Sequence, residues 1–465
     1  MDISKLIEKC SNIEISGIKT NSKLVEKGDL FVCIKGSKVD SHDFIDEAID
    51  NGAVFTITDR DMDISIPYLK VNNTFDFSID LYQKFYNNPQ NNMKLIGVTG
   101  TDGKTTVTTI IQNLIGNDQC GYIGTNGYNC LDYGENNHVN TTPAPESLYK
   151  IFNEFSKRNM QYVSMEASSE GFYYGRLNKL NFDVGIVTNV SSDHLNTHKT
   201  LKNYIDCKKL LMKQSKIQIL NSSDKYFKEF KRSASNYYTY GYNKRDDLYI
   251  KDYVLRYNKT CINFIYQNQE YYLTSSLVGK YNIENLCAAL LCLLKLGFSI
   301  YELIDKAKNL KIPGRMNFIN KGQNFVCLLD YAHTANALDN LFKFVDELDV
   351  HKKIVVFGKP GERDKQARYE IGPILEKYND LIILTAQDAR SEDIHEINND
   401  ILRDVKNKDK FIEIVDRKEA IKYALENAKL KDIVMILGKG VENGLNINGQ
   451  IIEHNDLDEI LKNLD

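Results

Sequence analysis

The sequence predicts an α/β protein: a central parallel-sheet domain carrying a phosphate-binding loop, followed by a doubly wound C-terminal domain. Three observations predict it. An apolar run at 94–98 leads through a glycine-rich loop into an apolar helical stretch at 107–115. Strand-like runs at 162–165 and 184–188 continue the alternation. Four more, at 325–329, 354–357, 381–384 and 433–437, alternate with helical patterns near the C-terminus. Buried strands alternating with helices imply a mostly parallel sheet covered on both faces.

Three segments separate along the chain, at 1–90, 91–311 and 312–465. The first has a strand-like run at 30–34 after the turn Lys27-Gly28-Asp29, then a helical pattern at 43–51 that stops at Gly52. It ends in the polar stretch Tyr86-Asn87-Asn88-Pro89-Gln90-Asn91-Asn92, which reads as a linker. The second runs from the glycine loop through a β-rich stretch at 247–274 to a helix at 283–296, stopped by Gly297. The third opens near Pro313-Gly314-Arg315. No internal repeat or low-complexity run is evident.

At 465 residues the chain is long enough for two to four domains. Hydrophobic residues at 42% and charged residues at 26% are ordinary for a globular chain. A net charge of -4 argues against a nucleic-acid partner, which favours a basic surplus. Nine cysteines without a C-x-x-C pair suggest neither a zinc knuckle nor a redox motif, and fit reduced core thiols in a cytoplasmic protein. The longest apolar run, 286–294, is too short to cross a membrane. The first ten residues, MDISKLIEKC, lack the pattern of a signal peptide.

The strongest motif is Gly97-Val98-Thr99-Gly100-Thr101-Asp102-Gly103-Lys104-Thr105-Thr106. It is G-x-x-x-x-G-K-[ST] with one extra residue, placed between a strand and a helix as that motif requires. Its glycines let backbone N–H groups curl around phosphate oxygens, with Lys104 on the β- and γ-phosphates and the helix N-terminus adding a favourable dipole. Thr105 is placed to hold Mg²⁺. Glu166, at the end of a strand, and His194, in Asn189-Val190-Ser191-Ser192-Asp193-His194, lie where strand ends of a parallel sheet meet a ligand. By spacing alone they serve equally well as ligands of a second Mg²⁺ or as a helix cap and a surface histidine.

With these motifs the chain resembles the Mur ligases, and among them the UDP-N-acetylmuramoyl-tripeptide synthetases. The likeness runs through Gly28-Asp29-Leu30-Phe31-Val32, Asp40 and Phe44, and Gly100 to Thr106. It continues through Thr141-Thr142-Pro143, Glu166-Ala167-Ser168-Ser169, Arg176, Asp193-His194-Leu195 and Lys208. Farther on it includes Gly279-Lys280-Tyr281-Asn282 with Asn285, Pro313-Gly314-Arg315 and Asp330-Tyr331-Ala332-His333-Thr334. Arg390-Ser391-Glu392-Asp393 and Gly438-Lys439-Gly440 complete it.

The resemblance implies a three-domain architecture: a uridine-nucleotide domain, a central ATP-binding domain and a C-terminal amino-acid domain. It implies an ADP-forming ligase that adds a diamino acid, such as meso-diaminopimelate or L-lysine, to UDP-N-acetylmuramoyl-L-alanyl-D-glutamate. An acceptor carboxylate attacks the γ-phosphate of ATP, and an amine then displaces phosphate from the acyl phosphate. Two Mg²⁺ ions and Lys104 would neutralise the charge that gathers. By resemblance, Thr105 holds one metal, and Glu166 and His194 the other, beside a carbamylated Lys208. Gly100, Thr101, Gly103 and Thr106 belong to the ATP loop. Asn282 and Asn285 match adenine-binding positions, although asparagine before a helix is more commonly a cap. Arg315, Asp330 and His333 match positions around the γ-phosphate and ribose. Ser22, Thr141, Thr142, Ser168 and Arg176 match positions that hold the UDP-muramoyl peptide. Asp388, Arg390, Gly438 and Glu442 match the amino-acid pocket. A cytoplasmic monomer is implied.

Departures concentrate in the substrate pockets. Gln387-Asp388-Ala389-Arg390 stands where diaminopimelate-adding members carry Asp-Asn-Pro-Arg. Asp388 there would attract an ammonium or pair with Arg390. Val441 replaces a histidine, Ala367 a lysine, Glu170 a histidine, and Asn21-Ser22-Lys23 an Asp-Ser-Arg. Two other readings therefore stay open: a paralogue acting on another peptide or γ-glutamyl acceptor, and a nucleotide-binding relative without turnover.

Overall fold

The computed structural model describes residues 13–36, 39–135, 140–191, 195–256, 259–310, 312 and 314–464. Within them the chain forms three sheets of consequence. The first has four parallel strands, Ile18–Lys19, Leu30–Val32, Phe55–Thr58 and Tyr68–Lys70, in that order. The expected helix after Asp43 begins as a 3-10 turn, Ser41–Phe44, and continues as Ile45–Asp50. Gly52 then takes a left-handed φ of 107° that ends it.

The central sheet has eleven strands. Its parallel heart runs Leu248–Arg256, Tyr237–Gly241, Ser215–Asn221, Phe182–Val187, Lys94–Thr99, Tyr162–Glu166 and Cys120–Gly124. Antiparallel strands extend both ends: Lys259–Tyr266 and Gln269–Ser275 at one, Gly127–Cys130 and Tyr133–Glu135 at the other. The strand Lys94–Thr99 has later strands on both sides, so the crossovers diverge at its carboxyl end, where open α/β sheets bind ligands.

Both faces of the central strands are buried, as their unbroken apolar runs require. Ile96, Val98, Val184 and Ile186 face the helices Lys104–Ile115 and Lys280–Lys295. Leu95, Phe182 and Val187 face the helices Pro145–Lys157 and Leu201–Lys213. The first sheet joins the latter core through the helix Thr74–Phe85, where Tyr82 stacks on Tyr149 with centroids 6.5 Å apart. The polar stretch after it contains the 3-10 turn Pro89–Asn92, with Asn87 and Asn88 at positive φ.

The third sheet runs Asn317–Ile319, Val326–Asp330, Ile433–Leu437, Lys353–Phe357, Leu381–Leu384 and Phe411–Glu413. All neighbours but the first pair are parallel. Its strands also alternate between two cores, Leu328 and Val355 on one face, Leu329 and Val356 on the other. Cys33, Cys120, Cys130, Cys287, Cys292 and Cys327 are buried free thiols. Among the described residues no helix is long and apolar enough to cross a membrane.

Candidate active site

The glycine loop lies between the strand Lys94–Thr99 and the helix Lys104–Ile115. Gly103 adopts φ 83°, and a Cβ there would come within 2.4 Å of the Asn285 Oδ1. The position thus needs glycine for its backbone and for its neighbour. Thr188 and Asn189, at the end of the adjacent strand, brace the loop. The Thr188 hydroxyl donates to the Asp102 carbonyl at 2.6 Å, and the Asn189 side chain exchanges hydrogen bonds with the Asp102 backbone at 3.0 and 3.1 Å. Lys104 Nζ donates to the Gly100 and Thr101 carbonyls at 3.1 and 2.7 Å. The Thr101 hydroxyl donates to Ser191 O or meets Tyr204, and Thr106 is buried in the first helical turn.

Lys208 belongs to the same knot. Its side chain is buried, Nζ donates to the Gly100 carbonyl at 2.7 Å, and Nζ lies 4.2 Å from the Tyr204 ring centroid. This is not the solvated lysine that composition alone favours. His194 lies outside the described residues.

Around Glu166 a second group assembles. Its buried carboxylate accepts from Tyr122 Oη at 3.1 Å, from the Thr125 N–H at 2.9 Å and from the Thr125 hydroxyl at 3.2 Å. The Thr125 hydroxyl also meets that of Thr141 at 3.2 Å. The Thr142 hydroxyl donates to the Glu166 carbonyl at 2.8 Å and lies 2.9 Å from the Ser168 hydroxyl. Arg176 donates to the Thr142 carbonyl at 3.0 Å, and burial lowers the guanidinium's pKa. Ser168 also caps the helix Ser169–Tyr173. Thr141, Thr142, Glu166, Ser168 and Arg176 are thus one hydrogen-bonded cluster at the strand ends. Ser22 stands apart, buried in the first unit with its hydroxyl on Glu47.

Asn282 and Asn285 are buried inside the helix Lys280–Lys295, whose cap is Gly279, so neither is an N-cap. The Asn285 amide donates to Asn282 Oδ1 at 3.2 Å, and the Asn282 amide donates to the Val278 carbonyl at 2.7 Å.

The third unit closes onto this edge. Arg315 Nη2 donates to the Thr105 hydroxyl at 3.3 Å, with the guanidinium 4.2 Å over the Tyr331 ring. The Thr334 hydroxyl donates to the Asp102 carboxylate at 3.2 Å. Asp330, at the end of its strand, accepts from the Met316 and Ala332 N–H groups. Burial raises its pKa, against the opposing pull of Arg315. His333 Nδ1 meets the Tyr331 carbonyl at 2.9 Å, and its own carbonyl accepts from Lys359.

The amino-acid side contains a charge arrangement that the residues alone did not reveal. Asp388 pairs with buried Lys439 at 3.2 Å, not with Arg390, and accepts from the Asn446 N–H. Lys439 also lies 3.8 Å from Glu442, which accepts from Tyr331 Oη at 2.7 Å. Burial raises the Glu442 pKa, against Lys439 and Tyr331. The Gly438 carbonyl accepts from the Gln387 amide. Arg390 Nη1 is 4.0 Å from Glu362. Lys439, Tyr331 and Asn189 lie inside the motifs read from the sequence, and Thr188 directly precedes one, but the motifs alone gave them no role; Tyr122 and Thr125 carried no motif signal.

Three family models match the chain. The Mur ligase family catalytic domain covers residues 14–85, the Mur ligase middle domain 98–293, and the Mur ligase glutamate ligase domain 314–440. The chain is 34% identical to the UDP-N-acetylmuramoyl-L-alanyl-D-glutamate–2,6-diaminopimelate ligase of Bacillus cereus, over 97% of this chain and 94% of that one. It is 34% identical to the UDP-N-acetylmuramyl-tripeptide synthetase of Borreliella afzelii, over 99% and 95%. A solved UDP-N-acetylmuramoyl-L-alanyl-D-glutamate–2,6-diaminopimelate ligase superposes with a TM-score of 0.67 at 29% identity, over 97% of this chain and 94% of that one. The sheets, the glycine loop and these matches lead to one conclusion: the chain belongs to the Mur ligase family of ATP-dependent, peptide-bond-forming ligases.

Proposed function

We propose that this ligase forms ADP while adding a diamino acid, such as meso-diaminopimelate or L-lysine, to UDP-N-acetylmuramoyl-L-alanyl-D-glutamate in peptidoglycan precursor synthesis. The observation that carries the reading is the Thr141–Thr142–Glu166–Ser168–Arg176 cluster on the same sheet edge as the glycine loop. It offers hydroxyls and a cation to an anionic acceptor beside the place where a loop of this kind holds phosphate. The Bacillus cereus relative is named for that acceptor. Residues 1–90 would hold the uridine nucleotide through Ser22, 91–311 would bind ATP, and 312–465 would bring the amino acid. The protein would act as a cytoplasmic monomer.

In this reading Lys104 leaves its loop carbonyls to meet phosphate, Asn282 and Asn285 read the adenine, and Arg315, Asp330 and His333 close from the third unit. Asp388, Arg390, Gly438 and Glu442 line the amino-acid pocket. Mg²⁺ fits the donors present: Thr105 and Glu166 offer oxygen, the preference of a hard cation. Among the described residues no three His, Cys, Asp or Glu side chains group to hold a metal. So sparse a set would leave part of the shell of any bound ion to other oxygen donors. A carbamate on Lys208 would add a further anionic oxygen donor to the proposed set, with His194 completing it. When bound, Mg²⁺ supplies charge neutralisation along the phosphates.

The test is phosphate release from ATP and Mg²⁺ with UDP-N-acetylmuramoyl-L-alanyl-D-glutamate and a panel of amino acids. Release should require both the nucleotide sugar and one diamino acid. Release with a γ-glutamyl peptide but none with the nucleotide sugar would overturn the proposed acceptor. ATP binding without release under any combination would overturn turnover itself.

A further inference from the structure

We infer that Arg368, acting through Glu392 and Glu362, is a positioning residue for the Arg390 guanidinium. The inference rests on the proposed reading that Arg390 receives a carboxylate of the incoming amino acid.

Arg368 lies in the helix Lys365–Tyr378 and is 0% exposed. Nη1 donates to Glu392 Oε2 at 2.7 Å and to Asp400 at 3.0 Å, and Nη2 donates to the Pro360 carbonyl at 3.3 Å. One guanidinium therefore ties together the loop after Phe357, the loop after Arg390 and the helix Ile394–Leu402. Its Nε–H is buried without a hydrogen-bond partner. Burying a charge and leaving a donor unsatisfied both cost stability. A well-packed apolar side chain would avoid those costs, so packing alone does not account for an arginine here.

Glu392 passes the constraint on. Its Oε1 accepts the Glu362 N–H at 2.6 Å. That contact holds Glu362 at φ 55°, a left-handed conformation that a side chain disfavours. The Gly361 N–H, donating to the Asp388 carbonyl at 3.0 Å, pins the preceding residue. The Glu362 carboxylate then accepts from the Ser391 hydroxyl and lies 4.0 Å from Arg390 Nη1.

Arg390 is itself left-handed, at φ 56°. Its backbone is fixed separately, by its N–H donating to the Asn446 carbonyl and the Asn448 N–H donating to its own carbonyl. The backbone is thus set by the hairpin of Leu445–Ile447 and Gln450–Ile452, and the charge beside the side chain by Glu362. At 4.0 Å the contact orients the guanidinium without filling its fork, which stays open for a bidentate carboxylate. No contact described for Arg368, Glu392 or Glu362 reaches the glycine loop. The relay should therefore act on amino-acid affinity and leave ATP affinity alone.

Steady-state kinetics of the full chain would test this with Glu362→Gln, Glu392→Gln, Arg368→Lys and Arg390→Lys. Each should raise KM for the amino acid, the glutamate variants by roughly tenfold, with KM for ATP unchanged. Glu392→Gln combined with Arg390→Lys should be no worse than Arg390→Lys alone, because both break one relay. Should Arg368→Lys fail to fold, the half-exposed Glu362 and the Glu392 variants carry the test. Unchanged amino-acid KM in both glutamine variants, with Arg390→Lys impaired, would overturn the relay alone. Additive losses in the double variant would overturn it too. An unimpaired Arg390→Lys would overturn the underlying assignment of Arg390.

Discussion

Lys208 donates to the Gly100 carbonyl at 2.7 Å from a side chain that is almost wholly buried. A lysine on the helix Leu201–Lys213 is thereby tied to the phosphate-binding loop 108 residues earlier. Burying an ammonium is costly unless it is well partnered, and here a backbone carbonyl and the Tyr204 ring face serve. The burial is consistent with a lysine that works as a carbamate. Lys208→Arg, which cannot be carbamylated, should lower kcat at least ~100-fold while ATP still binds. Labelling with ¹³C-bicarbonate should give a carbamate carbon signal in the active protein that is absent from Lys208→Arg. An active Lys208→Arg would rule the carbamate out.

Gly103→Ala should damage nucleotide binding specifically. The new methyl meets Asn285 Oδ1, and a left-handed φ costs about 1–2 kcal/mol for an L-residue. The expected result is a rise in KM for ATP of roughly tenfold or more with the acceptor KM unchanged. Parallel titration of both substrates checks it.

Arg315→Ala should separate closure from loop integrity. Its guanidinium is a direct link from the third unit to Thr105. Losing a charge-assisted hydrogen bond of about 1.5–3 kcal/mol predicts a ten- to hundredfold drop in kcat/KM for ATP. Thermal unfolding should shift little, since the pair is one contact between units beside others such as Thr334–Asp102. A large loss of Tm would instead make Arg315 structural.

The third unit should lose stability in acid through Asp456. Burial would raise its carboxyl, but Arg417, hydrogen-bonded at 2.7 Å to each oxygen, and His454 hold it down to about 2. A depressed folded pKa contributes stability above the ordinary value of 3.8, and that stability is lost as pH falls toward 2. Asp456→Asn leaves Arg417 buried and unpaired, and should cost roughly 3–5 kcal/mol at neutral pH. The deficit should shrink between pH 4 and 2. Urea midpoints across that range measure it, and a pH-independent deficit would contradict the ion-pair account.

The strands that carry the site were legible in advance because each is an unbroken apolar run between turn signals. The runs at 354–357, 381–384 and 433–437 appear as Lys353–Phe357, Leu381–Leu384 and Ile433–Leu437. Less legible were amphipathic or polar elements, such as the helices Thr74–Phe85 and Leu201–Lys213 and the strand Ser215–Asn221. Their burial is set by partners distant in the chain, as Tyr82 is by Tyr149.

What the sequence determined by itself was the chemistry of the glycine loop and the family pattern. Local spacing alone puts Gly100, Gly103 and Lys104 on one strand–loop–helix turn. Tertiary structure decided the charge partners. Asp388, two residues before Arg390, is bound instead to Lys439, brought from the end of Ile433–Leu437, which the strand Lys353–Phe357 separates from Leu381–Leu384. Arg390 faces Glu362, and Lys208 meets Gly100. In a doubly wound sheet, ligand-facing residues converge at the carboxyl ends of strands far apart in sequence. Their pairing is therefore a property of strand order and loop course, which local spacing does not encode.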